Sequence, residues 1–126
     1  VFTSDRDGNP EIYRMRTDGT EPLNLTQNPA NDQLAKASLD GAMLVFTTNR
    51  DGNQEIYSMG VDGNGPANLT SNPANDFGPS WSSDRDWVAF TTERDGNREV
   101  YLTRPGTSEQ SNLTNHPSRD QVTDWR

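Results

Sequence analysis

The 126-residue sequence has no cysteine, a single lysine, Lys36, and a single histidine, His116. Without cysteine, neither a disulfide framework nor a thiolate metal site is possible, and either redox compartment is compatible with the chain. No apolar run approaches the ~20 residues that a membrane-spanning helix needs, so we expect no membrane insertion. No segment has helical hydrophobic periodicity, which argues against long helices.

Apolar residues are also scarce, at 29% of the chain. Such a composition is typical of disordered chains, yet aromatic and β-branched residues return at regular intervals, which a disordered chain has no reason to maintain. The formal net charge of −8 gives no attraction to phosphate backbones, so nucleic acid is not an expected partner. The same charge attracts cations or basic protein surfaces.

A motif of arginine, aspartate, glycine and asparagine, followed by an acidic, an aliphatic and a tyrosine residue, occurs three times. Its copies begin at Arg6, Arg50 and Arg94, with 44 residues between consecutive copies. The shared turn and strand positions are Gly8, Gly52 and Gly96, and Tyr13, Tyr57 and Tyr101. A fixed period of this length indicates a repeat architecture.

Each period reads as four short β-strands. In the middle copy the predicted strands are 45–48, 55–59, 67–70 and 79–82. The first two flank the Asp-Gly turn, as expected for a β-hairpin, and Pro73 ends the third because proline cannot donate to a strand ladder. Four-stranded units of about 40–45 residues are typical of β-propeller blades.

The repeat resembles that of the TolB-type (WD40-like) β-propeller family, whose pattern runs Pro-x-Trp-Ser-Pro-Asp-Gly, then aliphatic-Ala-Phe. The matching residues of the third copy are Pro79, Trp81, Ser82, Asp84, Ala89 and Phe90. The resemblance implies a non-enzymatic protein-interaction scaffold and suggests a periplasmic or extracellular location. Two departures stand out. Ala37 replaces the expected tryptophan, which predicts an underpacked inner strand, and Arg85-Asp86 replace the usual turn glycine.

The predicted fold is therefore all-β, a single propeller unit over residues 1–126 with repeats 1–44, 45–88 and 89–126. With strands labelled A to D outward from the propeller axis, the chain opens at strand B and ends with an extra strand A at 122–126. That makes twelve strands, or three four-stranded antiparallel blades.

Three blades cannot close a ring, because propellers typically have about four to eight. We therefore expect a six-bladed homodimer in which the extra strand A of each chain joins the other chain. The expected interface residues are Val1, Phe2, Val122 and Trp125. The alternative is that the chain is a piece of a longer single-chain propeller.

Six aspartates form a candidate cation site: Asp7, Asp51 and Asp95 in the turns, and Asp32, Asp76 and Asp120 before each strand A. In a propeller the B–C loops and D–A connections lie on the same face, so these carboxylates form a rim that attracts Ca²⁺ or a basic partner. The turns lack the bidentate glutamate and flanking helices of an EF-hand. The alternative is a structural turn whose aspartate and arginine bond to neighbouring blades. No other cofactor is expected.

The sequence predicts no enzymatic activity. The segment 78–82 lacks the closing glycine of a nucleophile elbow, and His116 stands where the other copies have asparagine. The Asn-Leu-Thr triplets at Asn24, Asn68 and Asn112 are interpreted as structural, with leucine inward and the polar residues paired across strands. Two alternative functions stay open: a ligand- or carbohydrate-binding, lectin-like propeller, and an amplified or engineered propeller without an evolved ligand.

Overall fold

The computed structural model describes residues 1–125, and all regular secondary structure in them is β-strand. The strands are β1 (Phe2–Ser4), β2 (Glu11–Arg14), β3 (Leu23–Asn24), β4 (Asp32–Ala37), β5 (Met43–Thr48), β6 (Glu55–Gly60), β7 (Ala67–Asn68), β8 (Asp76–Trp81), β9 (Val88–Thr92), β10 (Glu99–Thr103) and β11 (Gln110–Asn112). They form three antiparallel sheets in chain order, β1–β3, β4–β7 and β8–β11. The predicted all-β fold with three blades is confirmed. No helix in residues 1–125 is long and apolar enough to cross a membrane.

The repeated motif forms the turn between strands B and C of each blade. In the second blade β5 and β6 pair from Met43 with Gly60 to Thr48 with Glu55. The Gly52 N–H donates to the Asn49 carbonyl at 3.0 Å, and Gly52 has a φ of 104°. Only glycine adopts that conformation readily, so the turn position of the motif glycine has a direct physical cause.

The core lies between the blades. Alternate residues of a strand point to opposite faces of its sheet, so Leu44 and Phe46 pack with Ile12 of the first blade. Val45, from the other face of β5, packs with Trp81 of the third blade. The middle blade is therefore covered on both faces, which explains why β5 and β6 are almost entirely buried.

Strands D and A differ in length from the predicted ones. The third strand of the middle copy ends at Asn68 rather than at residue 70, because Asn68 Oδ1 accepts the N–H groups of Thr70 and Ser71, both at 2.9 Å. Such local side-chain bonds compete with the ladder. Strand A of the third blade begins earlier, at Asp76, and includes a β-bulge between Phe77 and Ser80.

The predicted twelfth strand at 122–126 is not formed in the described residues. Residues 121–125 contain no strand, and Arg126 lies outside the described residues. A strand exists through hydrogen bonds to a neighbouring strand, and no strand of residues 1–125 pairs with this segment. The three sheets also do not close into a ring, so the six-bladed homodimer stays a prediction.

Candidate binding face

The B–C turns and the D–A connections meet at one end of the molecule. Asn53, the last residue of the second turn, donates from Nδ2 to the carbonyls of Asn72 and Ala74, both at 2.8 Å. Asn9 and Asn97 make the equivalent bonds in the other two blades. We call this end the acidic face, formed by turns 5–9, 49–53 and 93–97 and connections 25–31, 69–75 and 113–119. The sequence indicated the turn but not that its asparagine holds the connection.

The turn aspartates are held by two side chains of their own blade. Asp51 Oδ2 accepts hydrogen bonds from Tyr57 Oη at 2.5 Å and from Asn68 Nδ2 at 3.0 Å. The equivalent trios are Asp7 with Tyr13 and Asn24, and Asp95 with Tyr101 and Asn112. The expectation that the turn aspartate bonds to a neighbouring blade is therefore wrong. The tyrosine is the third residue of strand C and lies six residues after the aspartate of its own turn.

These bonds shift the pKa of Asp7 and of the three tyrosines. The hydrogen bond from Tyr13 lowers the pKa of Asp7. Burial, and then the hydrogen bond to Asp51, raise the pKa of Tyr57 to about 12. The phenols are therefore protonated at neutral pH, and the hydrogen bonds of each trio fix the orientation of its aspartate side chain.

Two of the three connection aspartates are buried and paired with arginine. Asp32 Oδ1 lies 3.1 Å from Arg50 Nη2, and Asp76 Oδ2 lies 3.0 Å from Arg94 Nη2. The motif arginine therefore also binds within its own blade, and the expectation that it bonds to a neighbouring blade is wrong. Its guanidinium stacks on the strand tyrosine, with Arg50 Cζ 4.6 Å from the ring centroid of Tyr57. Cation–π stacking and the ion pair together fix Arg50 and Arg94.

The second carboxylate oxygen distinguishes these two aspartates. Asp32 Oδ2 accepts a hydrogen bond from Asn28 Nδ2 at 2.7 Å. Asp76 Oδ1 is buried and has no hydrogen-bond partner among the described residues. Burial accordingly raises the pKa of Asp76, against the opposing charge of Arg94.

Asp120, the sixth candidate, is half-buried, and its backbone N–H donates to the Arg98 carbonyl at 2.8 Å. The structure thus places the three turn aspartates on the acidic face, whereas Asp32, Asp76 and Asp120 directly follow the connections, with Asp32 and Asp76 buried. Each turn or connection uses its own aspartate separately. Within residues 1–125, no three histidine, aspartate or glutamate side chains are grouped so that they could hold a metal ion. The calcium site stays a prediction.

A buried glutamate in every blade was missed by the sequence analysis. Glu55 Oε1 accepts the Asn72 N–H at 2.9 Å and Asn53 Nδ2 at 3.2 Å, and Oε2 accepts the Thr70 hydroxyl. Glu11 and Glu99 occupy the same position, and the hydrogen bond from Thr114 lowers the pKa of Glu99. Glutamate is rarely buried unless paired. The available signal was the threonine that recurs fifteen residues after each glutamate.

The Asn-Leu-Thr triplets serve these networks, with asparagine bound to the turn aspartate and threonine to the glutamate. Their leucines do not all point inward as predicted. Leu25 is buried and Leu69 half-buried, but Leu113 is 55% exposed. The difference follows from the position of each blade. The second blade covers Leu25 of the first, and the third blade covers Leu69 of the second, but none of the described residues covers this face of the third blade.

The predicted interface residues lie at the two ends of the stack of blades. Val1 is 51% exposed and Phe2 half-buried. The Val122 N–H donates to Thr91 Oγ1 at 3.0 Å and the Trp125 N–H to Ser80 Oγ at 3.1 Å. The final segment therefore lies against the third blade of its own chain. Ala37, at the position of Trp81, is exposed and belongs to neither core cluster.

Comparisons with known proteins agree with this architecture. The model of the TolB beta propeller domain matches residues 34–125. A protein described as TolB from Agrobacterium tumefaciens is 26% identical with a TM-score of 0.84, over 94% of this chain and 43% of that one. TolB from Acinetobacter baumannii is 24% identical with a TM-score of 0.78, over 97% of this chain and 31% of that one.

The tricorn protease shares the fold at 17% identity and a TM-score of 0.62, over 82% of this chain and 9% of that one. The chain thus spans less than half the length of each of these structures. No curated protein sequence matches it.

Proposed function

The chain belongs to the TolB beta propeller domain family, and on that premise we propose that it is a non-enzymatic scaffold that binds another protein through the acidic face. The observation that carries the proposal is the set of exposed turn aspartates, Asp7, Asp51 and Asp95, each held by a tyrosine and an asparagine. Of the motif arginines beside these aspartates, Arg50 and Arg94 are paired with buried aspartates and Arg6 is not. The exposed charge of the turns is therefore negative overall and attracts a basic partner, and its fixed orientation reduces the ordering that binding requires. The expected partner is a protein with a basic surface.

The contacts of the one histidine, His116, favour a non-enzymatic function. His116 Nδ1 accepts the backbone N–H of Ser118 at 3.1 Å, and the His116 backbone N–H donates to Glu99. A base that activates a nucleophile must bond to its hydroxyl or thiol. No hydroxyl group of residues 1–125 bonds to this imidazole.

A protein partner is favoured over a carbohydrate by the nature of the exposed apolar residues. Sugar-binding sites use exposed aromatic rings with a few polar groups. The large apolar side chains exposed within residues 1–125 are Val1, Met15, Leu23, Leu34, Leu39 and Leu113. None of these is aromatic, whereas the repeated tyrosines and phenylalanines pack against each other within the blades.

Binding of defined charged peptides tests the proposal. Immobilised chain is exposed to lysine- and arginine-rich peptides and to acidic peptides of equal length. Asp5→Asn with Glu93→Gln removes two charges from the acidic face without touching the aspartate trios. Asp18→Asn with Glu109→Gln removes two charges at the opposite end and is the matched control. We expect the first pair alone to weaken binding of basic peptides. Equal binding of both peptide classes, or binding only to a glycan array, would contradict the proposal.

We also propose that the working form is a six-bladed ring of two copies. The described residues form three blades, whereas propellers typically have about four to eight. Strand β1 pairs on one side only, with β2, and an unpaired edge exposes backbone groups that bind another strand. Light scattering over a range of concentrations tests the ring. A mass of twice the 14.0 kDa chain supports it, and the mass of one chain contradicts it.

A further inference from the structure

The second and third blades contain the same ion pair between the first residue of strand A and the motif arginine. Arg50 Nη2 lies 3.1 Å from Asp32, and Arg94 Nη2 lies 3.0 Å from Asp76. Both aspartate side chains are fully buried. Because the arginine belongs to the B–C turn, the pair ties the inner strand of a blade to its own central hairpin.

The first blade contains only the arginine of this pair. Arg6 Cζ lies 4.6 Å from the Tyr13 ring centroid and 5.4 Å from that of Phe2. The equivalent distances from Arg50 Cζ to Tyr57 and Phe46 are 4.6 Å and 5.5 Å. Arg6 Nε also donates to Ser4 Oγ at 2.9 Å. Yet the sheet of the first blade has no strand A among the described residues, and Arg6 forms no ion pair with any of them.

The end of the chain contains only the aspartate. Asp120 follows Asp76 by the same 44 residues that separate Asp76 from Asp32. Its N–H donates to the Arg98 carbonyl at 2.8 Å, as the Asp76 N–H does to Gln54 and the Asp32 N–H to Pro10, also at 2.8 Å. The segment therefore starts as an inner strand does, at Asp120, but no described residue forms an ion pair with Asp120.

The next residues repeat a second contact of the inner strand. The Val122 N–H donates to Thr91 Oγ1 at 3.0 Å, and the Gly78 N–H donates to Thr47 Oγ1 at 3.2 Å. Residues 121–123 and the free edge of β1, at Phe2 and Thr3, border one open groove of about 500 Å³. Both incomplete elements are therefore accessible to another chain.

We propose that Asp120 of one copy binds Arg6 of a second copy and completes the first blade of that copy. This inference rests on the proposed two-copy ring and specifies its contact. The two groups are complementary in charge, and twofold symmetry produces the contact twice per dimer. The pairing also has a register. Asp32 pairs with Thr48 and Gln33 with Thr47, and Asp76 and Phe77 pair likewise with Thr92 and Thr91. Asp120 accordingly pairs with Ser4, and Gln121 with Thr3, of the second copy.

Exchange of the two charges tests the contact in the full chain. Arg6→Asp or Asp120→Arg alone places like charges together at both contacts, and we expect the dimer dissociation constant to rise by about 100-fold or more. Mixing the two single variants restores opposite charges at both contacts of the heterodimer, and so does the double variant in a homodimer. Arg16→Asp is the control, because it makes the same charge change at an exposed pair with Glu21 on the opposite end.

The outcomes separate this inference from the ring itself. The contact is supported if each single variant dimerises weakly and if dimerisation recovers both on mixing them and in the double variant. If a single variant does not fold, the dissociation constant of the double variant decides. A wild-type dimer that both single variants leave intact overturns the Asp120–Arg6 contact while the two-copy ring stands. Weak single variants without recovery also overturn the contact. A monomeric wild-type chain overturns both.

Discussion

Arg85 has a backbone φ of 66°, and Gly41, which occupies the same position one blade earlier, has a φ of 70°. Both residues close the turn between strands A and B, where their N–H groups donate to Ser82 and Ser38. The left-handed conformation costs a residue with a Cβ about 1–2 kcal/mol. The third blade therefore carries strain at the position where the family pattern has glycine.

Arg85→Gly is expected to raise the free energy of unfolding by about 0.5–1 kcal/mol. The variant loses the ion pair with Asp40, but the two side chains are 50% and 40% exposed, and ion pairs at such exposed sites contribute little to stability. Gly41→Ala is the matched control and is expected to lose about 1 kcal/mol, although a Cβ there meets no atom within 4 Å. Urea denaturation measures both. Destabilisation by Arg85→Gly would mean that the pair with Asp40 outweighs the strain.

Acid should weaken the fold through the buried Glu99. The Thr114 hydroxyl lowers the pKa of Glu99 below its usual 4.5, so its contribution is present above that value and is lost as the pH falls through the lowered one. We expect Thr114→Val to flatten the fall in unfolding free energy between about pH 5 and pH 3, and Thr114→Ser to preserve it. Denaturant titrations at successive pH values measure this slope. Equal slopes for all three chains would exclude the hydrogen bond as the cause.

The sequence predicted the features that depend on neighbouring residues. The B–C turns were predictable because Gly52 and its equivalents meet a local requirement for positive φ. The burial of Glu55 was not predictable, because it depends on a hydrogen bond from Thr70, which lies far along the chain, after a further strand. The early start of strand A at Asp76 escaped prediction because a bulge interrupts its alternation. Up to residue 125 the final segment forms no strand, because a strand needs a partner strand, which a sequence pattern alone does not supply.

Alkali should weaken the fold through Tyr57. Its pKa is raised from 10.0 to about 12, so the stability it contributes is complete below pH 10 and is lost as the pH rises toward 12. We expect Tyr57→Phe to remove part of this loss, because the phenylalanine cannot ionise next to Asp51. Denaturation at pH values from about 9 to about 12 measures the difference. A Tyr57→Phe chain with the same alkaline loss as wild type would show that Tyr57 does not cause it.

Val122 stands at the bulge position of strand A, where Leu34 has a φ of 58° and Gly78 a φ of 64°. A β-branched residue resists positive φ, so Val122 opposes the inner-strand conformation. If two copies exchange this strand, Val122→Gly should tighten the dimer by about tenfold, since each dimer has two such strands. Arg85→Gly is the control, because it relieves a positive φ of 66° within one chain, outside the groove that the exchanged strand enters, and should leave the dissociation constant unchanged. Equal effects of both variants on dimerisation would contradict strand exchange.

Ala37 leaves the junction of the first two blades without the aromatic residue that the second junction has. Trp81 is only 7% exposed and packs in one cluster with Val45 and Val88. The equivalent neighbours of position 37 are Val1, which is 51% exposed, and Leu44. Ala37→Trp is expected to cover Val1 and to raise the free energy of unfolding by about 1–2 kcal/mol. Trp81→Ala, the matched reverse change, should lose about 3–5 kcal/mol. Chemical denaturation measures the unfolding free energy of both variants. If Ala37→Trp and Trp81→Ala both destabilise the chain, then the first blade lacks the apolar surface on which a tryptophan at position 37 could pack, unlike the second blade, which packs against Trp81.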